Sequence, residues 1–201
     1  MSFDAVTELE NKVAEFFGAP YALAVDSCTH ALELCLRYEG YGLNWIKITV
    51  PTHTYISVPF LLIKLGIEWN WREEDWKDYY YLGHTNIIDA AVLWQRDCYI
   101  PGTYMCLSFQ FQKHLSLGRG GMILLDNEEA RQYLEPFSYD GRMRGSPWRQ
   151  QDIKMMGHHY YMTPETAELG LQKLPAAIAT EPRKWSLSDY PDLRNMEVFR
   201  K

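Results

Sequence analysis

The chain has 201 residues, of which 47% are hydrophobic and 23% charged, with a formal net charge of -6. That length suits one well-packed domain, and the balance of apolar and charged residues excludes a disordered chain. The acidic excess argues against a nucleic-acid surface, which is normally basic.

In chain order, Met1-Ser2-Phe3-Asp4-Ala5 lacks the basic-then-apolar plan of a signal peptide. Asp4 is expected to cap a helix with Val6, Leu9, Val13 and Phe16 on one face, closed by Gly18 and Pro20. Tyr21 to Val25 is a continuously apolar run, as in a strand buried on both faces. A polar turn at 26–29 leads into a helix through Ala31, Leu32, Cys35 and Leu36. A strand from Ile46 to Val50 stops at Pro51, and a helix through Val58, Leu61, Leu62 and Leu65 stops at Gly66. Further strands are expected at Ile67 to Trp71, Tyr79 to Leu82, Ile87 to Ile88, Met105 to Phe109 and Met122 to Leu125. Asn127 to Leu134 reads as helix. A last helix starts with Thr163 as cap and Pro164 in the first turn, and is expected to end before Pro175. Short strands alternating with helices indicate an α/β sandwich with a largely parallel sheet. The apolar stretches, such as Val58 to Ile63, are too short to span a bilayer. Cys28, Cys35, Cys98 and Cys106 show no zinc or dithiol spacing, so a reducing, cytoplasmic compartment and no metal are expected.

In such sheets ligands bind beyond the carboxyl ends of the strands. Four strand ends carry chemistry. Ser27-Cys28-Thr29 opens a helix, where small hydroxyl residues either cap it or leave N–H groups for a phosphate. Asp89 closes a buried strand, as a partner for a cationic ring, a metal ligand or a cap. Thr54-Tyr55 follows Pro51, where a tyrosine either stacks on a flat ligand or packs in the core. Ser108 and Lys113 precede the turn Gly118-Arg119-Gly120-Gly121, which places Lys113 where partial desolvation frees its amine for imine formation. Arg142, Arg144 and Arg149 form a basic stretch suited to phosphate, although loop arginines are often merely solvated. His158 and His159, adjacent on an extended segment, face opposite ways, which argues against a shared metal.

Together these stretches resemble the fold type I, pyridoxal-phosphate (PLP)-dependent nucleotide-sugar aminotransferases of the DegT/DnrJ/StrS family. The resemblance runs from about residue 10 to 174 through Tyr21–Leu32, Val50–Tyr55, Ile88–Ala91, Ser108–Gly121 and Gly157–Leu174. It implies a three-layer αβα sandwich with a mostly parallel sheet. A PLP-binding large domain over 1–175 is followed by a tail over 176–201, with the small C-terminal domain largely absent. Lys113 is then expected to form the Schiff base, Asp89 to pair with the pyridine nitrogen and Tyr55 to stack on the ring. Cys28, Thr29 and Ser108 are expected to hold the phosphate. His159, standing for a family asparagine, is expected to reach the phosphate of a second subunit in a homodimer with shared sites. The implied reaction moves an amino group from an amino acid to a keto sugar nucleotide, whose diphosphate Arg142 and Arg144 would hold. Elimination or decarboxylation on PLP, or a non-catalytic PLP-binding scaffold, are the alternatives. The chain departs from the family pattern at Cys28, Val92, Arg119, His159 and Tyr161.

Overall fold

The structure is a computed structural model that describes residues 3–41 and 47–200. Helix α1 (Asp4–Phe17) begins with Asp4 inside its first turn, one place past the cap position expected for it, where a carboxylate still meets the positive helix end. Gly18 ends α1 at φ 74°, a left-handed turn that a glycine adopts without strain. Strand β1 (Tyr21–Val25) leads through the Ser27 cap into α2 (Cys28–Tyr38). Then come β2 (Ile48–Pro51), α3 (Ser57–Leu65), β3 (Trp69–Arg72), β4 (Tyr80–Tyr81) and β5 (Ile87–Asp89). After them lie β6 (Tyr104–Ser108), β7 (Gly121–Leu125), α4 (Glu128–Ser138) and α5 (Pro164–Ala179). The expected start of β2 at Ile46 lies outside the described residues.

Five strands form one sheet in the order β1-β7-β6-β5-β4, and β2 pairs with β3. Alternate residues of β1 enter different cores, Leu23 and Val25 on one face and Ala22 and Ala24 on the other. Helices α2, α3 and α4 cover the first face, and α1 and α5 the second. This is the three-layer α/β arrangement, buried on both faces.

The sheet is mixed. β5 pairs with β6 in parallel, whereas β1–β7, β6–β7 and β4–β5 are antiparallel. β2 is parallel to β3, and an antiparallel bridge from Thr49 to Gly83 joins the two sheets. Followed through that bridge, β1, β2, β3, β5 and β6 run one way and β4 and β7 the other. The reversal at β4 has a local cause. Its link to β5 is too short for a crossover, so the two strands close as a hairpin.

Helix α5 runs on through Pro175 to Ala179, beyond its expected end. Proline removes one helical hydrogen bond, but Leu174 and Ala177, on either side of it, are buried against the α1 face. The Ala177 carbonyl also accepts bonds from the Trp94 indole (2.9 Å) and the His114 ring (2.8 Å). Tertiary contacts therefore carry the helix past its breaker. Residues 180–200 then cross the sheet end in three short 3-10 turns. Leu193 N–H donates to the Thr52 carbonyl (3.0 Å), and His53 Nδ1 lies 2.8 Å from the Tyr190 carbonyl.

Candidate active site

The carboxyl ends of β1, β2, β5 and β6 and the amino ends of α2 and α3 open onto one cavity of about 570 Å³. Its floor is the Asp89 carboxylate, 6% exposed at the end of β5. Asp89 Oδ1 accepts the Ala91 N–H (3.0 Å), and Oδ2 accepts the Tyr80 hydroxyl (2.6 Å). Burial pushes the Asp89 carboxyl above its usual range, while the bonds from Tyr80 and Ala91 and the charge of Lys113 pull it back. Each carboxylate oxygen has two acceptor sites, so a cationic donor can still join.

Across the cavity stands Lys113, in the turn after β6. The turn is tied by bonds from Phe109 N–H to Gly120, Phe111 N–H to Gly118 and Lys113 N–H to Gln110. Lys113 Nζ lies 3.5 Å from the Tyr190 hydroxyl and 4.3 Å above the centre of the Trp185 ring. Desolvation lowers the pKa of this amine, with Asp89 the main charge opposing that shift.

At the α2 end, Ser27 Oγ caps the helix by accepting His30 N–H (3.2 Å), and Thr29 Oγ1 meets Ser57 Oγ at 2.7 Å. The turn is pressed against β7. A Cβ on Gly121 would lie 2.4 Å from the Ser27 carbonyl carbon and 2.5 Å from Cys28 N. Only a glycine at 121 lets the two backbones approach so closely. Arg119 reaches over the same turn to Asp26, with Nη2 2.8 Å from Oδ2.

The structure thus brings together Lys113, Asp89, Tyr55, Cys28, Thr29 and Ser108, all lining the cavity. Tyr55 stands at the mouth, 59% exposed. The Cys28 thiol points away from the α2 amino end into the floor, 3.3 Å from the Cys106 carbonyl and 3.9 Å from Asp89 Oδ1. What Cys28 offers a phosphate is its backbone N–H.

Arg142, Arg144 and His159 do not line this cavity. Arg144 is nearly buried and holds both carboxylate oxygens of Glu10 at 3.0 Å. Arg142 pairs with Asp140 (3.0 Å) and lies over the Tyr139 ring. Both guanidinium groups help anchor the 139–144 turn through these ion pairs, while the Nε of each makes no hydrogen bond. His159 is exposed and pairs with Asp140 at 2.9 Å. Conversely, Tyr80, Ser57, Trp185 and Tyr190 line the cavity without having been singled out from the sequence.

Among the described residues, no group of three or more His, Cys, Asp or Glu is placed to hold a metal ion. No helix among them is long and apolar enough to cross a membrane.

Comparison with known proteins gives a match to the model of the DegT/DnrJ/EryC1/StrS aminotransferase family over residues 1–78 and 100–190. SpsC, a spore coat polysaccharide biosynthesis protein of Bacillus subtilis (strain 168), is 26% identical over 84% of this chain and 56% of its own length. The 3-amino-5-hydroxybenzoate synthase of Amycolatopsis mediterranei (strain S699) is 41% identical over 66 residues, 33% of this chain and 17% of the synthase. Among solved structures, AtS13 from Actinomadura melliaura superposes with a TM-score of 0.73 at 19% identity, over 88% of this chain and 61% of that one. Spr1654 from Streptococcus pneumoniae in its PLP form gives 0.70 at 18% identity, over 87% and 60%. The structural likenesses establish the fold. The chain spans little more than half the length of SpsC.

Proposed function

Because the chain belongs to the DegT/DnrJ/EryC1/StrS aminotransferase family, we propose that it is a PLP-dependent aminotransferase that carries an amino group from an amino acid to a keto sugar nucleotide. The observation that carries this reading is a desolvated lysine amine facing a buried carboxylate across one cavity, with a helix amino end at its edge.

The donor set fits the cofactor. PLP supplies an aldehyde that condenses with amines and a ring nitrogen whose positive charge draws electrons from the reacting carbon. Asp89 would hold that nitrogen by a charge-assisted bond. The N–H groups of Cys28 and Thr29 at the start of α2, with the Ser108 hydroxyl, would hold the phosphate. Tyr55 would cover one face of the ring. Lys113 would carry the covalent link and, once released as an amine, move the proton at the substrate carbon. Its lowered pKa leaves more of the amine neutral at a given pH than in a solvated lysine.

His159, exposed on the outer surface, suits contact with a second copy, so a homodimer with shared sites belongs to the same proposal. The free thiols Cys28, Cys35, Cys98 and Cys106 agree with a reducing, cytoplasmic compartment. A half-reaction tests the activity. With PLP bound, an amino donor such as glutamate should shift the visible spectrum to that of the amine form, and a keto sugar nucleotide should reverse it. A PLP-loaded protein whose spectrum no amino donor changes would exclude transamination and leave a PLP-binding relative or another PLP reaction.

A further inference from the structure

Tyr80 belongs to none of the stretches that carry the family resemblance, yet it makes the shortest hydrogen bond to the cavity floor. It sits on β4, in the short link between β3 and β5, and its side chain is 3% exposed. Its hydroxyl has a single proton, and that proton goes to Asp89 Oδ2 at 2.6 Å. The phenol oxygen lies 2.5 Å from Thr54 Oγ1, itself buried, so Thr54 must be the donor in that contact. The result is a directed chain, Thr54 to Tyr80 to Asp89, in which each hydroxyl polarises the next.

We propose that Tyr80, backed by Thr54, keeps the Asp89 carboxylate ionised in the cavity floor and so sets the pH range over which Asp89 can hold a cationic ring. The last clause rests on the cofactor reading above; the first does not.

The other groups facing Asp89 do not replace Tyr80. From α2 comes the Cys28 thiol, and from β6 the Cys106 thiol, both pushed up by burial and therefore neutral. From the segment after α5 comes the Tyr190 phenol, also raised by burial and neutral. From the turn after β6 comes Lys113, whose charge favours the carboxylate but whose own pKa is lowered by desolvation. The single Cys28 thiol proton has a nearer acceptor in the Cys106 carbonyl (3.3 Å) than in Asp89 Oδ1 (3.9 Å), so the close donors are the Ala91 N–H on one oxygen and Tyr80 on the other. Tyr80 is itself pushed well above its ordinary value, first by burial and then by the Asp89 charge, so it remains a proton donor throughout the working range. A hydrogen bond to the charged form lowers a carboxyl pKa, and its loss lets burial win.

The test uses Tyr80→Phe, which keeps the ring and removes only the hydroxyl, with Thr54→Val as a second variant. Carbon-13 NMR of carboxyl-labelled aspartate in the cofactor-free protein reads the titration directly, the Asp89 signal being identified by its loss in Asp89→Asn. Tyr80→Phe should move the Asp89 midpoint up by about one pH unit or more, roughly tenfold in proton affinity, and Thr54→Val should move it the same way by less. PLP affinity of Tyr80→Phe, measured by equilibrium dialysis, should fall below wild type and recover as pH rises past the new midpoint. An unchanged midpoint would overturn the proposal, and so would an affinity loss equal at every pH, which is the mark of a packing defect. A shifted midpoint in a protein whose wild type binds no PLP would overturn the cofactor reading and leave Tyr80 as the control of Asp89.

Discussion

Substituting Gly121 by alanine tests how the site is built. The added Cβ would stand 2.4 Å from the Ser27 carbonyl carbon, 2.5 Å from Cys28 N and 2.7 Å from the Ser27 oxygen. Ordinary van der Waals contact begins at 3.4 Å, so the backbones must part by about 1 Å, the difference from ordinary carbon contact distances. No flexible side chain can give way. Gly121 pairs with Val25 of β1 on one side and Ser108 of β6 on the other, so movement of β7 strains two ladders. The remaining route is to lift the start of α2 off the sheet. Overpacking of this kind costs about 1–3 kcal/mol, and with backbone on both sides we expect about 3 kcal/mol, the upper end of that range. For a chain of this size that is a loss of roughly 6–12 °C in melting temperature. The same displacement turns the α2 N–H groups away from the cavity, so the preference for pyridoxal phosphate over pyridoxal should fall about tenfold, one charge-assisted bond's worth. Urea unfolding and competitive binding of the two compounds measure both effects. Gly118→Ala is the control, because a Cβ there meets nothing and only its φ of +80° is strained, a cost of about 1–2 kcal/mol. If Gly121→Ala is no less stable than this control and keeps the phosphate preference, the close approach does not build the site.

Lys113 should react with an amine-specific reagent at a pH midpoint below the 10.5 of an ordinary lysine, read by mass spectrometry across a pH series; a midpoint at or above that value would contradict its desolvation. The sign also fixes a stability effect. A lysine whose folded pKa is depressed binds fewer protons in the folded state, so its penalty is full below the folded pKa and fades as pH rises towards 10.5. Lys113→Met should therefore gain stability on wild type at neutral pH, by a margin that shrinks on the way to that pH. Arg144→Ala should cost about 3 kcal/mol in urea unfolding, because buried Glu10 loses one of its two arginines, and should leave substrate KM unchanged; a KM effect without a stability loss would restore Arg144 to the substrate. Light scattering should show a homodimer, and His159→Ala should weaken PLP binding without dissociating it. A PLP-loaded monomer would remove the shared site.

The elements that surround the site were legible because local rules and packing agree there. Tyr21–Val25 is apolar throughout and is buried on both faces. Gly18 and Gly66 close their helices in the left-handed conformation. Lys113, Asp89 and Thr29 were readable as candidates because Asp89 closes β5, while Lys113 and Thr29 lie within five residues of the ends of β6 and β1. Tyr80 was not, since Tyr79, Tyr80 and Tyr81 are chemically identical and only the hairpin register sends the middle one inward. Trp185 and Tyr190 were hidden for another reason. Their segment has no apolar period, because it packs through single anchors such as Leu193 on the Thr52 carbonyl. The ion pairs of the arginines at 142 and 144 were not legible, because their partners, Asp140 and Glu10, lie 2 and 134 residues away. Charge on a loop does not reveal which carboxylate it will meet.

Lys113 is proposed to be the residue that binds PLP covalently. Incubation with PLP, borohydride reduction and peptide mass spectrometry locate the attachment directly. The protein should be yellow and lose its visible band on reduction, with one phosphopyridoxyl group per chain on Lys113. A group on any other lysine, or no group at all, would contradict it.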